Sequence, residues 1–238
     1  MSKLNETGHE KNVANLEDLI VVCNGCGASY NPSNSLIKPE ALSALILSGQ
    51  TAIQQVRLTK AAYDNATNNR EMAFEPLKKL STRIMNSMKA MGVSSQTLDD
   101  AKTANRKIQG KRAVAVTVDP LAKEAVKTRS VSQQGFDSQI ESFSNLVQTA
   151  SMQASYQPNE EELKITSLNA LIERLKAANT AVIQSANALA NARDQRDTVL
   201  YGDTGIYNVV NLVKAYLKSA FGTDSPTYKQ VTALHFRN

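Results

Sequence analysis

The stretch Ala28-Ser29-Tyr30-Asn31-Pro32 recurs 126 residues later as Ala154-Ser155-Tyr156-Gln157-Pro158. With this offset, residues 28–70 and 154–196 share 15 identities in 43 aligned positions. Unrelated sequences of ordinary composition would share roughly three. We therefore predict that the chain is a tandem duplication, with both copies built on one structural plan.

Composition favours helices over sheets. The chain has 238 residues, only 5% aromatic residues, no Trp and ten Gly. Ala, Leu, Lys and Gln, which are all good helix formers, are abundant. We predict an all-α fold, an elongated helical bundle built from two tandem-duplicated helical halves with pseudo-twofold symmetry. The first half spans 1–109, a basic linker spans 110–132, and the second half spans 133–238.

Each half is expected to contain four helices in the same order. A short helix ends before a Tyr-x-Pro turn, because the residue preceding a proline is disfavoured in helical geometry. A long amphipathic helix, a third helix that ends at a glycine, and a short closing helix follow. The boundaries expected from the sequence are 12–24, 71–91 and 96–109 in the first half, and 137–153, 205–221 and 226–234 in the second.

Local signals mark several of these helix ends. Pro39 suits the first turn of the long helix in the first copy, and Asn159 with Glu162 forms a capping-box pattern in the second. Ser225 followed by Pro226 suits the start of the last helix. Pro76 interrupts helix-compatible sequence, so the third helix either continues past a kink or folds back, and the sequence leaves both open.

The linker carries the net charge of the chain. Segment 106–129 has seven basic and two acidic residues, a net of +5, which equals the formal charge of the whole protein. The alternation of Val114, Val116 and Val118 could form a short strand. A solvated connection is the interpretation we favour, and anion binding is the alternative. The candidate anion-binding residues are Lys107, Lys111, Arg112, Lys127 and Arg129.

No residue pattern predicts catalysis, a cofactor or a metal ion. Cys23 and Cys26 have the spacing of a redox pair, but they sit at a helix end, where the helix dipole disfavours a thiolate. We therefore expect structural thiols, with a redox pair as the weaker alternative. His9 and His235 lie near opposite ends of the sequence and are expected at the surface. The acidic runs 160–162 and 99–100 are expected to serve helix starts.

The helix around 177–193 has the composition of a helix–helix interface, because small Ala residues alternate there with Asn, Gln and Ser. An Asn within an apolar seam, such as Asn179, fixes the register of two helices. Packing within one chain would use the same residues and is the more common case. The candidate interface residues are Asn179, Val182, Ala186 and Leu189, with Ile53 and Val56 from the first copy.

Four stretches resemble a family of uncharacterised bacterial proteins of similar length. They run from Thr7 to Asn15, from Phe74 to Ile84, from Tyr156 to Lys164 and from Ser225 to Val231. Members of that family carry a Lys- and Pro-rich connection at the position of 110–130, which supports the assignment of a linker. The family has no established activity, so the resemblance implies no substrate and no catalytic residues.

The resulting hypothesis is a non-enzymatic structural protein that assembles with copies of itself into a filament or lattice through its repeated helical faces. One alternative is a helical pore-forming protein that inserts 110–130 into a membrane, although the basic residues of that segment oppose insertion. Another is binding of nucleic acid or an anionic surface through the linker. With no signal peptide or membrane span in the sequence, we expect a cytoplasmic protein, and export by a signal-independent route remains open.

Overall fold

The computed structural model describes residues 6–111 and 134–237, and these contain eight α-helices, three short 3₁₀ turns and no strand. The all-α prediction is therefore confirmed, while the elongation, the duplication and the twofold relation of the halves stay predictions. The helices are α1 (Glu6–Gly25), α2 (Pro39–Phe74), α3 (Leu77–Ala90), α4 (Ser95–Gln109), α5 (Phe136–Ser151), α6 (Ile165–Tyr201), α7 (Ile206–Phe221) and α8 (Pro226–Thr232).

The chain forms two compact units. The first unit combines Met1–Tyr63 with Ser185–Asn238, and the second is Asp64–Gln184. These units do not coincide with the two halves of the sequence. Each unit takes helices from both halves, because α2 and α6 both pass from one unit into the other.

In the first unit, α1 packs with α7 and α8. Fully buried Leu16 and Leu19 of α1 share one apolar core with Val213 and Leu217 of α7. Gly49 of α2 allows close approach, because a Cβ there would lie 2.9 Å from Cγ2 of Val13 and 3.0 Å from Cδ1 of Ile206. This core therefore joins an N-terminal helix of the first half to C-terminal helices of the second.

In the second unit, α5 packs with α3 and α4. Phe143 and Leu146 of α5, Ile84 and Met88 of α3, and Leu168 of α6 are fully buried in one apolar core. This core joins α5 from the second half of the sequence to α3 and α4 from the first half. The second unit thus also takes its helices from both halves of the sequence.

Helix α3 continues in the direction of α2. Nη1 of Arg70 donates to Oδ1 of Asn179 at 3.1 Å, and further along the chain Arg83 pairs with Glu162. Further on still, Sδ of Met91 lies 3.3 Å from the backbone N of Gln157. Since the partners descend in sequence as the chain ascends, α3 extends α2 antiparallel to the 157–179 segment, rather than folding back as a hairpin.

The bend between α2 and α3 lies at Glu75 and Pro76. Pro76 has no N–H to donate, and its ring crowds the preceding turn, which breaks the helix that we predicted over 71–91. In the second half the break falls at residues 202–205, a turn that contains Gly202 and Gly205. The positive φ of Gly92, +72°, and of Gly222, +81°, confirms both as helix-terminating glycines.

Some predicted helix ends are correct and others are wrong, among them the start of α1, which lies at Glu6 rather than at residue 12. Oγ of Ser225 accepts from the backbone N of Tyr228 at 3.2 Å, which confirms the cap of α8, and α2 begins at Pro39 as predicted. The capping box of Asn159 and Glu162 is not formed. A 3₁₀ turn occupies Glu161–Leu163 instead, α6 begins only at Ile165, and Glu162 pairs with Arg83 of α3.

The Tyr-x-Pro turn makes the same hydrogen bond in both copies. The hydroxyl of Tyr30 donates to the carbonyl of Ile37 at 2.6 Å, and that of Tyr156 donates to the carbonyl of Leu163 at 3.0 Å. Donors and acceptors are both separated by the repeat offset. Each bond ties the turn to the 3₁₀ segment that precedes a long helix.

We expect Tyr30→Phe and Tyr156→Phe to destabilise the protein by similar amounts, about 1–3 kcal/mol each, because each leaves a buried carbonyl without its donor. Urea unfolding followed by circular dichroism measures the loss. Tyr207→Phe is the control, since the half-buried Tyr207 hydroxyl has no hydrogen-bond partner in the part of the chain that the structure describes. A loss confined to one of the two tyrosines would show that the turns are not equivalent.

Candidate functional site: the polar side of helix α1

The buried polar residues of the first unit are concentrated on α1. His9, Asn12 and Asn15 have exposed fractions of 6%, 1% and 3%. They follow one another at a spacing of three residues, beside apolar positions that belong to the core. Buried polar groups are costly unless they are hydrogen-bonded, so their partners indicate what this side of α1 is for.

Asn12 and Asn15 bind the backbone of segment 234–237, which follows α8. Nδ2 of Asn12 donates to the carbonyl of Arg237 at 2.7 Å, and Oδ1 of Asn12 accepts from the backbone N of Arg237 at 2.9 Å. Nδ2 of Asn15 donates to the carbonyl of His235 at 2.7 Å. Both asparagines therefore hold the main chain of a segment that is not helical.

Lys214 of α7 holds the same segment from another helix. Its Nζ donates to the carbonyl of Leu234 at 2.9 Å and lies 5.4 Å from the ring centroid of Phe236. Burial lowers the pKa of Lys214 from its usual value. Side chains from α1 and α7 thus form a clamp, which we define as Asn12, Asn15 and Lys214.

His9 belongs to a second cluster on the same side of α1. Its Nδ1 lies 3.0 Å from the hydroxyl of Tyr201, and burial raises the pKa of that hydroxyl. We expected His9 at the surface, and this expectation is wrong: its polar ring is buried because Tyr201 gives it a hydrogen-bond partner within the fold. His235 is exposed as predicted.

Arg196 lies beside this cluster with an exposed fraction of 2%. Its Nε donates to Oδ1 of Asp197 at 2.9 Å. Nη2 lies 2.8 Å from the same oxygen, but without the geometry of a hydrogen bond, so we regard the contact as an ion pair made mainly through Nε. The space between Arg196, His9, Glu10 and Arg57 has a volume of about 10 Å³. It has room for about one water molecule.

The corresponding arginine of the first copy, Arg70, has different partners. Its guanidinium lies 3.9 Å from the ring centroid of Phe136, and Nη1 donates to Asn179. Nδ2 of Asn179 donates in turn to Oδ1 of Asp137 at 2.6 Å. Asn179 therefore fixes the packing of α2, α5 and α6 within the second unit.

The other predicted interface residues also take part in packing within the chain. Val56, Val182 and Leu189 are buried, and Ile53 and Ala186 are half-buried. Val56 and Leu189 form a small apolar cluster with Ala192 in the first unit. With Asn179, four of the six candidates are therefore buried within the chain and two are half-buried. Their use between chains stays a prediction.

Cys23 and Cys26 lie at the C-terminal end of α1, as predicted, and both are free thiols. Burial raises the pKa of the Cys23 thiol to about 11, although a hydrogen bond with Tyr30 acts in the opposite direction. The reactive form of cysteine is the thiolate, and burial suppresses it here. This arrangement favours structural thiols over a redox pair.

In a Cys26→Ser variant, we expect Cys23 to react with a soluble disulfide reagent at least about 100-fold more slowly at pH 8 than in the unfolded chain. With a pKa of about 11, the rate should still rise with pH between 8 and 10, roughly tenfold per pH unit. Stopped-flow absorbance measures it, and Cys23→Ser, which retains Cys26, is the control. A rate that levels off near pH 8.5 would contradict the burial argument.

A wider groove lies in the second unit. It has a volume of about 420 Å³ and is open to solvent. Its charged lining residues are Lys79, Arg83, Arg174, Glu161 and Glu162, and both acids are engaged by basic partners, Arg83 with Glu162 and Lys164 with Glu161. The lining of this open groove thus mixes basic and acidic side chains.

The linker candidates are divided by the limits of the described structure. Lys107 and Lys111 are exposed at the end of α4, where Gly110 with a φ of +71° terminates the helix. Arg112, Lys127 and Arg129, and the valines expected to form a strand, lie outside the described residues. The anion-binding hypothesis for the linker stays a prediction.

Sequence reasoning missed the clamp. The available signal was the run of polar residues at His9, Asn12 and Asn15, within a stretch that we noted only for its resemblance to other proteins. Asn12 and Asn15 bond to backbone atoms, which leave no trace in the sequence of the partner segment. No pairing rule could therefore have connected them to 234–237.

In the part of the chain that the structure describes, the regular structure is all helical, and side chains of α1 and α7 hold the backbone of segment 234–237. In the ranges 6–111 and 134–237, no group of three or more His, Cys, Asp or Glu residues could hold a metal ion, and no helix is long and apolar enough to span a bilayer. Scans of protein-family models, of curated proteins and of solved structures gave no match to the chain. The resemblance to a bacterial family stays a prediction.

Proposed function

We propose that this protein is a non-enzymatic structural protein that assembles with copies of itself, and that halves of different chains complete each other's compact units. The observation that carries the proposal is that each unit takes its helices from both halves of the sequence. To form, a unit needs one N-terminal half, 1–109, and one C-terminal half, 133–238. The two halves can belong to different chains.

The contacts between the halves are extensive enough to support such an exchange. In each of the two cores, the described buried residues are divided about equally between residues 1–109 and residues 133–238. When an element that folds against its own chain folds instead against an identical chain, the same contacts form without any new interface. Exchange between two chains gives a dimer, and exchange in series gives an open chain of subunits.

The internal repeat supports the proposal in a second way. We propose that the two units are equivalent products of a duplication, which would explain why the Tyr30 and Tyr156 hydrogen bonds recur at the repeat offset. In a duplicated chain, each exchange leaves further halves of matching shape for the next subunit. Filaments or lattices are the assemblies that such heterologous contacts produce.

The polar site supports a non-enzymatic protein. The space beside His9 has room for about one water molecule, and the polar groups on α1 are occupied by the protein's own backbone and by Tyr201. Catalysis requires a site where a reacting group can approach a positioned side chain. The polar side of α1 instead serves to hold structure together.

Exchange is testable by energy transfer between two labelled chains. In a Cys23→Ser, Cys26→Ser background, one population carries a donor at Lys102→Cys on α4, and the other carries an acceptor at Met152→Cys after α5. Both positions are exposed and lie in the second unit, but in different halves. Transfer between chains that is as efficient as within a doubly labelled chain therefore indicates that a unit is completed by two chains.

We expect transfer after the two populations are unfolded together and refolded at high concentration, and progressively less as the refolding concentration falls. An excess of unlabelled chain during refolding should abolish it. A chain with both labels is the control, because it gives the transfer efficiency between these two positions within one unit. Absence of transfer at every refolding concentration, with the helical content fully regained, would contradict the proposal.

A further inference from the structure

The hydrogen bonds between segment 234–237 and the clamp all involve backbone atoms of the segment. Four hydrogen bonds link it to the clamp: one from Lys214 to Leu234, one from Asn15 to His235, and two between Asn12 and Arg237. All four use backbone atoms of the segment. The paired donor and acceptor of Asn12 imitate the hydrogen bonds that a neighbouring strand would offer to an extended chain.

The side chains of the segment alternate in burial. Leu234 and Phe236 are half-buried against the core of the first unit, whereas His235 and Arg237 are exposed. This alternation is that of an extended chain with one side facing the protein. Phe236 also lies near the Lys214 ammonium, at a distance where a cation attracts an aromatic ring.

These observations describe a binding site that is already occupied. Such a site binds an extended peptide through hydrogen bonds from buried amide side chains to the peptide backbone. It selects apolar residues at alternate positions of the peptide, and the exposed side chains between them are free to vary. The segment follows the short α8 without further secondary structure, so it can leave the clamp without unfolding a helix.

We propose that Asn12, Asn15 and Lys214 form a peptide-binding clamp that accepts segment 234–237 of a second copy of this chain in place of its own. The proposal goes beyond the exchange of halves, because it concerns a different surface and a much smaller element. It rests on the proposed function in one respect only, namely that the occupant belongs to another copy.

A labelled peptide of residues 233–237 tests the clamp directly by fluorescence anisotropy. The protein partner is a chain that ends at Ala233, so that its clamp is empty. We expect saturable binding to this shortened chain and at least tenfold weaker apparent binding to the full chain, whose own segment competes at a high effective concentration. Asn12→Ala with Asn15→Ala in the shortened chain should weaken binding at least tenfold.

Two control peptides separate the contributions. A peptide with Leu234→Ser and Phe236→Ser should lose binding, because it lacks the apolar side chains. A peptide with His235→Ser should bind like the original, since that side chain is exposed. Equal binding to the shortened and full chains, no effect of the asparagine substitutions, or no binding to a folded shortened chain would each overturn the proposal.

A second measurement serves if the shortened chain does not fold. Full chains with Asn12→Ala and Asn15→Ala should release the segment, and amide hydrogen exchange at Arg237, whose N–H is bound by Asn12, should then be faster than in the unmodified protein, while α7 remains protected. Unchanged exchange would overturn the clamp. Neither measurement depends on the exchange of halves, which the energy-transfer experiment reports separately.

Discussion

Separated halves of the chain are expected to be unable to fold alone and to fold when mixed. The two fragments are residues 1–111 and residues 134–238, and the segment between them is left out. The first half alone would leave Leu16 and Leu19 without the α7 residues of their core, and Ile84 and Met88 without Phe143 and Leu168.

The energetics make this effect large. Each large apolar side chain that stays exposed forgoes about 1.5–3 kcal/mol. Because a typical domain is stable by only about 5–15 kcal/mol, losing half of both cores exceeds what either half can tolerate. We expect each half at low concentration to show little cooperative unfolding by circular dichroism, and the equimolar mixture to regain the helical signal and a cooperative transition.

Cuts that leave the second unit intact provide a matched control. Fragments that keep 64–184 intact contain every described residue of the second core, so we expect the second unit to retain cooperative unfolding by itself. If residues 1–111 folded independently with native stability, the assignment of each unit to both halves would be contradicted.

Replacing Phe143 by alanine should cause the largest loss of stability among single substitutions in the second unit. Phe143 is fully buried at the middle of α5, among residues contributed by both halves. Removing a buried phenyl ring costs about 3–5 kcal/mol, because the transfer free energy is lost and a cavity remains. Denaturant unfolding of Phe143→Ala and the unmodified protein gives the difference in the free energy of unfolding.

Met152→Ala is the control for Phe143→Ala. Met152 follows the last turn of α5 and has an exposed fraction of 70%, so its truncation should change stability by no more than about 0.5 kcal/mol. A loss below about 1 kcal/mol for Phe143→Ala would mean that α5 does not pack as described.

The positions of the helices could be predicted from the sequence because the signals for them are local. Apolar periodicity located the helices, and Ser225, Pro39, Gly92 and Gly222 marked ends that the structure confirms. A cap acts through atoms within one turn of the chain, so its effect can be seen in a few consecutive residues. The capping box at Asn159 failed because a competing turn, fixed by the Tyr156 hydroxyl, occupies that segment.

The pairing of the helices could not be predicted in this way. Periodicity shows that one side of a helix is apolar, but it does not show which other helix covers that side. The long helices α2 and α6, of 36 and 37 residues, each enter both units, so a division of the sequence into halves does not divide the structure.

The polar site was missed for a related reason. His9, Asn12 and Asn15 have the residue types of an exposed helix surface, and the predicted start of α1 at residue 12 even left His9 outside the helix. Their burial depends on Tyr201 and on the backbone of 234–237, which are about 190 residues or more away in the sequence. Only the folded chain brings these partners together.

The mass of the purified full chain, measured by light scattering over a wide range of concentrations, tests self-assembly most directly. The proposed exchange of halves predicts that the mean mass rises with concentration through whole multiples of the 25.9 kDa chain, without change in helical content. A mass that stays at one chain at every concentration, including after refolding at the highest, would contradict the assembly function.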